Sequence, residues 1–411
     1  MRILLVSEDI PYPSMGGLAK HVLTLAKALV KAGHSVDLLG GDQHPIEVAG
    51  EEGQFGGRFF GELHGHLAGW KESKIGMYLP PKRPWIALKM AQCVIKYAAD
   101  YDVIHYHGHF PNIAKYIPQH INFVQTRHDQ GSDCLKHTRF RDGEICNRLN
   151  PADCAGCIAK QPNAFQRAIS ASAVSRYRED VAEAFQLHKT IFVSEKLRQN
   201  FVRIAGAGEW CSVVHNFVDL EMINAALQAI PATSKADKHK LKLFVAGKLY
   251  HPKGIGILLQ KMVPIMPDHF HLSIAGDGPD EVALRQNFES VQVSFLGWCD
   301  YQTVLNYAAS SDVVIVPSIC EESFATTILE GLLLGKPTFV LNRGGNPEMQ
   351  PYQQYQSQLH LYSDIDTLVK ALVKFQPNPP PAPPWNGRGG VDNVIQRLIE
   401  IYRAPAGATI S

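Results

Sequence analysis

Short, wholly apolar runs, each closed by a loop rich in glycine, proline or polar residues and followed by helical periodicity, restrict this chain to few folds. Arg2 to Ser7 (RILLVS) is the first such run. It does not alternate apolar with polar residues, so a strand there must bury both faces, as strands do in a parallel sheet with helices on either side. A polar loop with Pro11, Pro13, Gly16 and Gly17 follows. Leu18, Val22, Leu25, Leu29 and Val30 then recur at helical spacing, Gly33 ends the helix, and Ser35–Leu39 is the next strand. Further apolar runs at Val103–Tyr106, Phe123–Gln125 and Thr190–Val193 extend a doubly wound α/β layout.

The pattern restarts in the second half. Lys242–Ala246 reads as a strand, GKLYHPKG as its loop and Ile257–Met262 as a helix. Strands follow at Leu272–Ala275, Val293–Leu296, Val313–Val316 and Thr338–Leu341. A chain of 411 residues with 45% hydrophobic residues can fill two such cores. The expected division is residues 1–215 and 216–390, with an exposed link between 216 and 240. Six prolines in Gln376–Pro384 (QPNPPPAPP) make a stiff connector. Beyond it, Val394, Ile395, Leu398, Ile399 and Tyr402 share one helical face, with Asp392 in position to cap. A terminal helix within 391–411 is expected to pack back on the first domain.

Charge excludes one function class. Forty Lys and Arg stand against 39 Asp and Glu, a net charge of +1, which gives no bulk attraction for nucleic acid. No apolar run approaches the length of a membrane span, and MRILLVSEDIPYP lacks the features of a signal peptide. An intracellular location, cytoplasmic or membrane-peripheral, is therefore expected, with the eight cysteines as thiols or metal ligands rather than disulfides.

Glu322-Ser323-Phe324-Ala325-Thr-Thr-Ile-Leu-Glu330 is the most informative stretch. It follows an apolar strand and opens a helix. Eight residues of continuous helix would separate the two carboxylates by ~12 Å. With Glu322 in the loop, the pair suits a ligand carrying hydroxyls at both ends. The helix N-terminus between them offers its dipole and N–H groups to a phosphate. The competing reading is one loop acid and one surface acid. Lys248 and Lys253 lie in the loop after a strand, where two ammonium groups can neutralise a diphosphate or simply be solvated.

Taken in order, these stretches resemble the retaining glycosyltransferases of family 4. The resemblance runs from the opening strand with Gly16-Gly17 through DVIHYH (102–107), His128-Asp129, Val193-Ser194, VHNFVD (214–219) and the lysine loop. It continues through AGDGP (275–279) and the Glu322/Glu330 motif to EGLLLGKP (330–337). It implies a GT-B fold of two Rossmann-like doubly wound domains facing a central cleft. Glu322 would bind hydroxyls of the donor sugar and Glu330 the ribose of its nucleotide. Lys248 and Lys253 would hold the diphosphate, and Ser323, Phe324 and Ala325 would line the donor site. Gly16 and Gly17 would contact the phosphate side, and His128 would approach the transferred sugar. Catalysis would need no metal, because the cations do the electrostatic work. Two departures stand out: Lys248 replaces the family's usual arginine, and Asn216-Phe217 its usual Asn-Gly.

His105, His107 and His109 alternate, so on a continuous strand they share a face. Three imidazoles there suit an open metal site, while the resemblance implies cleft lining. Cys134, Cys146, Cys154 and Cys157 form C-x11-C-x7-C-x2-C, which fits a structural zinc, free thiols or two disulfides. Cys93, Cys211, Cys299 and Cys320 read as small hydrophobes. Trp70 to Lys96 has six basic residues, at positions 71, 74, 82, 83, 89 and 96, and one acid, Glu72. That segment suits an anionic membrane surface, an anionic acceptor or plain solvation.

The expected function is transfer of a sugar, with retention, from a UDP- or GDP-linked donor to a glycan or lipid-linked acceptor in polysaccharide or glycoconjugate synthesis. The rivals are a sugar-nucleotide epimerase of the same fold and a silent glycan- or nucleotide-binding scaffold.

Overall fold

The computed structural model describes residues 1–10, 17–41, 56–63, 83–158, 163–206, 208, 210–230, 240–377 and 387–405. Residues 1–141, 146–216 and 391–411 form one compact unit; residues 142–145 and 217–390 form the other.

In the first unit, β1 (Arg2–Val6), α1 (Gly17–Lys31), β2 (Ser35–Leu39) and β3 (Phe59–Phe60) come first. Next are α2 (Arg83–Ile95), β4 (Val103–His107) and β5 (Phe123–Arg127). A short ladder, β6 (Phe140–Arg141) with β7 (Glu144–Ile145), the latter among the residues 142–145 grouped with the other unit, leads to α3 (Pro151–Ile158) and α4 (Ala164–Leu187). The elements β8 (Lys189–Phe192), α5 (Glu195–Ala205) and β9 (Cys211–Val213) complete the run. Seven strands pair in parallel in the order β3-β2-β1-β4-β5-β8-β9. Ile3 to Val6 are inaccessible to solvent, as a strand covered on both faces requires.

The second unit runs α6 (Leu220–Gln228), β10 (Leu241–Ala246), α7 (Ile255–Met262), β11 (Phe270–Ala275), α8 (Glu281–Phe288) and β12 (Val293–Gly297). It continues with α9 (Tyr301–Ser310), β13 (Val313–Val316), α10 (Thr326–Leu333), β14 (Thr338–Leu341), β15 (Leu359–Tyr362) and α11 (Ile365–Leu372). Six parallel strands take the order β12-β11-β10-β13-β14-β15. Leu243, Val245, Leu258, Ile274, Ile315 and Leu368 belong to its core.

The terminal helix α12 (Asp392–Arg403) belongs to the first unit and packs beside α1. It buries Ile395, Leu398, Ile399, Ile401 and Tyr402. Full burial of such side chains contributes about 1.5–3 kcal/mol each.

Three local expectations are corrected. Asp392 is the first helical residue rather than the cap; Val391 holds the cap position and makes no side-chain hydrogen bond there. The expected link opens as a helix, α6, capped by Asp219. Its apolar Ile223 and Ala226 find a buried face, which overrides the polar character of the residues after them. Arg83, read within a basic surface segment, is wholly buried. It stacks on Tyr177 and Phe110, 4.5 and 5.0 Å from the ring centroids, and donates to the His109 carbonyl at 2.8 Å. Residues 70–82 of that segment, 231–239 of the link and 378–384 of the proline run lie outside the described residues.

Candidate active site

In each sheet the strand order reverses once, between β1 and β4 in the first and between β10 and β13 in the second. Helices leave in opposite directions at such a point, and the crevice left beyond the carboxyl ends of the strands is where open α/β sheets bind ligands. The residues singled out from the sequence follow these strands.

In the second unit, Lys248 and Lys253 follow β10, and Glu322 follows β13. The Lys253 ammonium stands 2.6 Å from Glu322 Oε1. Ser318 also donates to this carboxylate, and the Cys320 thiol lies 3.9 Å from it. Burial opposes charge on both members of the pair, but each outweighs that cost for the other. Lys253 is held above its ordinary range and Glu322 below its own. The Glu322 backbone is fixed by the Gly345 amide, which donates to its carbonyl at 2.8 Å. Gly344, with φ +55°, passes so close to that carbonyl that any Cβ would strike it.

Ser323 and Ala325 are half-buried in the loop before α10, and the Phe324 ring packs edge-on to Tyr352, 6.3 Å between centroids. Ala325 occupies the cap position of α10 with no side chain able to close it. Glu330 is buried within α10 and takes a hydrogen bond from the Tyr301 phenol. Burial and then the Glu330 charge push Tyr301 well above its ordinary range. Lys248 is exposed, its ammonium 5.9 Å from the Tyr250 ring centroid.

In the first unit, Gly17 opens α1 and Gly16 lies outside the described residues. His128 follows β5 and is grouped with His21 of α1 and His107 at the end of β4; one ring nitrogen of each lies within 4.8 Å of the others. His107 Nδ1 is 3.0 Å from His128 Nε2, and the His107 Nε2 atom is buried with no hydrogen-bond partner. Burial holds His107 and His128 well below the usual imidazole range, so both are neutral at pH 7.

The alternating histidines part company because β4 stops at His107. His105 and His107 keep one face, with centroids 4.0 Å apart. His109 turns instead to Asp129, at 2.5 Å, and Asp9, at 3.5 Å. Burial opposes its charge, yet Asp9 and Asp129 raise His109 well above its ordinary range. Burial also works against the Asp129 carboxylate, but His137 and His109 beside it keep it well below the usual carboxylate range. His137 Nδ1 stands 3.0 Å from Asp129 Oδ1, while burial pushes His137 itself down to about 4. With His109 already carrying the positive charge, His137 meets Asp129 as a neutral ring.

The sequence reading passed over Glu8, Asp9, His21, His137 and Tyr301. Glu8 and Asp9 lie just beyond β1, after Ser7, so their position past a strand at the reversal was the available signal. Nothing local marked His137 or Tyr301. Cys320 proves to be a neighbour of Glu322 rather than plain core filler. Cys134, Cys146, Cys154 and Cys157 line one pocket, although no three of their sulfurs lie within 4.8 Å of one another. All eight cysteines are free.

Two parallel α/β units with charged groups beyond the strand ends define a GT-B class protein, and known proteins agree. The chain matches the family models for Glycosyltransferase Family 4 over residues 15–222 and Glycosyl transferases group 1 over residues 240–376. It belongs to glycosyltransferase family 4. It is 25% identical over 375 residues to an uncharacterised glycosyltransferase of Methanocaldococcus jannaschii, covering 85% of this chain and 82% of that one. It is 30% identical over 197 residues to the gpi3 subunit of phosphatidylinositol N-acetylglucosaminyltransferase from Schizosaccharomyces pombe. That match spans 46% of this chain and 42% of the subunit. Among solved structures, Anabaena HepE in complex with UDP superposes with a TM-score of 0.56 at 15% identity, covering 97% of this chain and 99% of that one. An E. coli structure described as trehalose-6-phosphate bound with UDP-2-fluoro glucose gives a TM-score of 0.64 at 13% identity, covering 98% and 100%. No described helix is long and apolar enough to cross a membrane.

Proposed function

We propose that this glycosyltransferase moves a sugar from a nucleoside-diphosphate donor, UDP-linked in the first instance, to a glycan or lipid-linked acceptor, with retention and without a catalytic metal. The observation that carries the reading is the Lys253–Glu322 pair at the reversal of the second sheet, beside a helix start that no side chain caps. Lys253 and Lys248 neutralise the diphosphate, and the open first turn of α10 adds N–H donors. Glu322, kept ionised by Lys253, accepts hydrogen bonds from hydroxyls of the donor sugar. Glu330, oriented by Tyr301, takes the ribose diol.

During transfer the bond from the anomeric carbon to the diphosphate oxygen breaks, and the acceptor oxygen bonds to that carbon on the same face. The acceptor proton passes to the departing phosphate oxygen, so the protein need supply no dedicated base. His128, neutral at pH 7, serves the transferred sugar as a hydrogen-bonding group. HepE, seen with UDP, and the E. coli structure, seen with a UDP-sugar, favour uridine in the donor.

The test is a thermal-shift screen of nucleotide sugars without divalent metal. A ligand at 100 times its Kd stabilises by about 2.7 kcal/mol, enough to read. One donor and its free nucleoside diphosphate should shift the protein selectively, and Lys253→Met should abolish both shifts. Absence of any shift at millimolar donor would sink the reading in favour of a silent scaffold.

A further inference from the structure

Residues 134–158 are held by polar ties and by the packing of α3 on α4 rather than by an apolar core: Arg139 pairs with Asp133 at 2.6 Å and donates to Asn147 at 2.9 Å. The ladder between β6 and β7 has two residues per strand, and only Leu135, Arg139 and Ala155 of the segment are buried. Three of the four described non-glycine residues with positive φ nevertheless occur here: His137 at 62°, Arg139 at 46° and Asp142 at 55°. Such backbone persists only where the surroundings over-determine it. A hairpin this short with no apolar core gains most from a cross-link added to those polar ties.

The four cysteines are placed to provide one. Cys134 sits in the turn before the hairpin, Cys146 directly after β7, and Cys154 and Cys157 one helical turn apart on α3. All four line the same pocket. Burial, and then the Asp133 charge, push the Cys134 thiol up to about 11, against the backbone amides of Arg139, Lys136 and Thr138, which bear on its sulfur; Arg178 donates to Cys154 Sγ at 3.2 Å. Lys136, Arg139, Arg141 and Arg148 also line the pocket. Asp133, also in the lining, takes up the charge of Arg139, and the other cations suit a cluster of thiolates, because four thiolates around a divalent ion leave a net charge of two minus.

We propose that Cys134, Cys146, Cys154 and Cys157 bind one zinc ion that locks this hairpin and thereby holds His137 against Asp129. Zinc–sulfur bonds of about 2.3 Å put tetrahedral sulfurs about 3.8 Å apart. The present sulfurs are more widely spread. Rotation about the single side-chain torsion of each cysteine moves its sulfur without moving the backbone. The ion displaces the thiol protons and takes four sulfur ligands, leaving no open position for chemistry.

The connection onward is short. The His137 amide donates to the Cys134 carbonyl at 2.8 Å, and the Gln130 amide donates to the His137 carbonyl at 3.3 Å. Gly131 lies so close under the His137 ring that a Cβ there would strike it. The hairpin thus fixes where His137 meets Asp129, and Asp129 adjoins His128. The effect on turnover rests on the proposed role of His128; the metal site does not.

Metal analysis of the full chain, purified without chelator, should give one zinc per chain. Titration with a mercurial should release that zinc as four thiols react. Cys157→Ser should hold less than a fifth of the zinc and become sensitive to proteolysis within residues 134–158. It should keep its nucleoside-diphosphate affinity within twofold while kcat falls at least tenfold. Metal-free protein with four reactive thiols, an iron chromophore, or a disulfide found by peptide mapping would each overturn the zinc site. Stoichiometric wild-type zinc with unchanged kcat in Cys157→Ser would overturn the coupling to Asp129. Zinc content is read without donor or acceptor, so failure of the glycosyltransferase reading would show separately.

Discussion

Tyr402, on the last turn of α12, places its hydroxyl 2.7 Å from Nδ1 of His105, a residue 297 positions earlier. The other ring nitrogen of His105 lies 2.7 Å from Thr126 Oγ1, so this buried imidazole has both polar atoms engaged. Its ring also meets His107, the partner of His128. The terminal helix is thereby tied by a directional bond, as well as by its apolar face, to the strand that carries the histidine cluster.

Removing only that hydroxyl, by Tyr402→Phe, should leave a buried nitrogen unsatisfied and cost about 1–3 kcal/mol. Urea unfolding measures it. Tyr402→Leu should cost more, because the edge-on ring contact with His105, 5.4 Å between centroids, goes too. A phenylalanine variant as stable as the parent would show that Thr126 alone satisfies the histidine.

The two carboxylates of the donor motif should separate by phenotype. Glu330→Ala removes the group that Tyr301 orients and should weaken nucleoside-diphosphate binding at least tenfold by calorimetry. Glu322→Ala should mainly lower turnover, and it should also reduce thermal stability, since Lys253 loses its counter-charge in a buried setting. Equal activity of either variant and the parent would remove that residue from the site.

Acid should destabilise the first unit over a window set by its buried neutral imidazoles. Burial lowers His105, with no solvent-accessible surface, from 6.5 to about 3, and His137 to about 4. Between those values and 6.5 the unfolded chain binds protons that the folded chain does not, so stability falls as pH falls. For His105 each pH unit crossed is worth about 1.4 kcal/mol. His109 has the opposite sign: its folded value is raised, so its contribution is complete below 6.5 and is lost as pH rises through that folded value. Melting temperature against pH should therefore drop steadily from pH 6.5 to 4, less steeply in His105→Gln. A flat profile for the parent would contradict the buried, neutral state.

Much of this architecture was readable before any coordinates. Ser35–Leu39, Val313–Val316 and Thr338–Leu341 form strands at the expected residues, because an apolar run between breakers has few alternatives. β3 and β9 were not legible: two or three residues carry no periodicity, and they pair only because a neighbouring edge is available. Within the candidate site, the place of Lys253 and Glu322 after strands was legible. That their charged groups meet at 2.6 Å was not, since 69 residues separate them. Arg83 shows the converse, a residue whose type announces solvent and whose partners, Tyr177 and Phe110, take it inside.

Two doubly wound units, a motif with carboxylates eight residues apart and a set of cysteines at ligand-like spacing are written in the chain itself. Those are local properties, written in hydrophobic period, turn chemistry and residue type. Which charges pair, where β4 stops so that His109 turns to Asp9 and Asp129, and the return of Tyr402 to His105 emerge from the fold. The reason is that side-chain partners depend on strand order and on where each strand ends. Both are set by packing among segments distant in the chain, which no local pattern encodes.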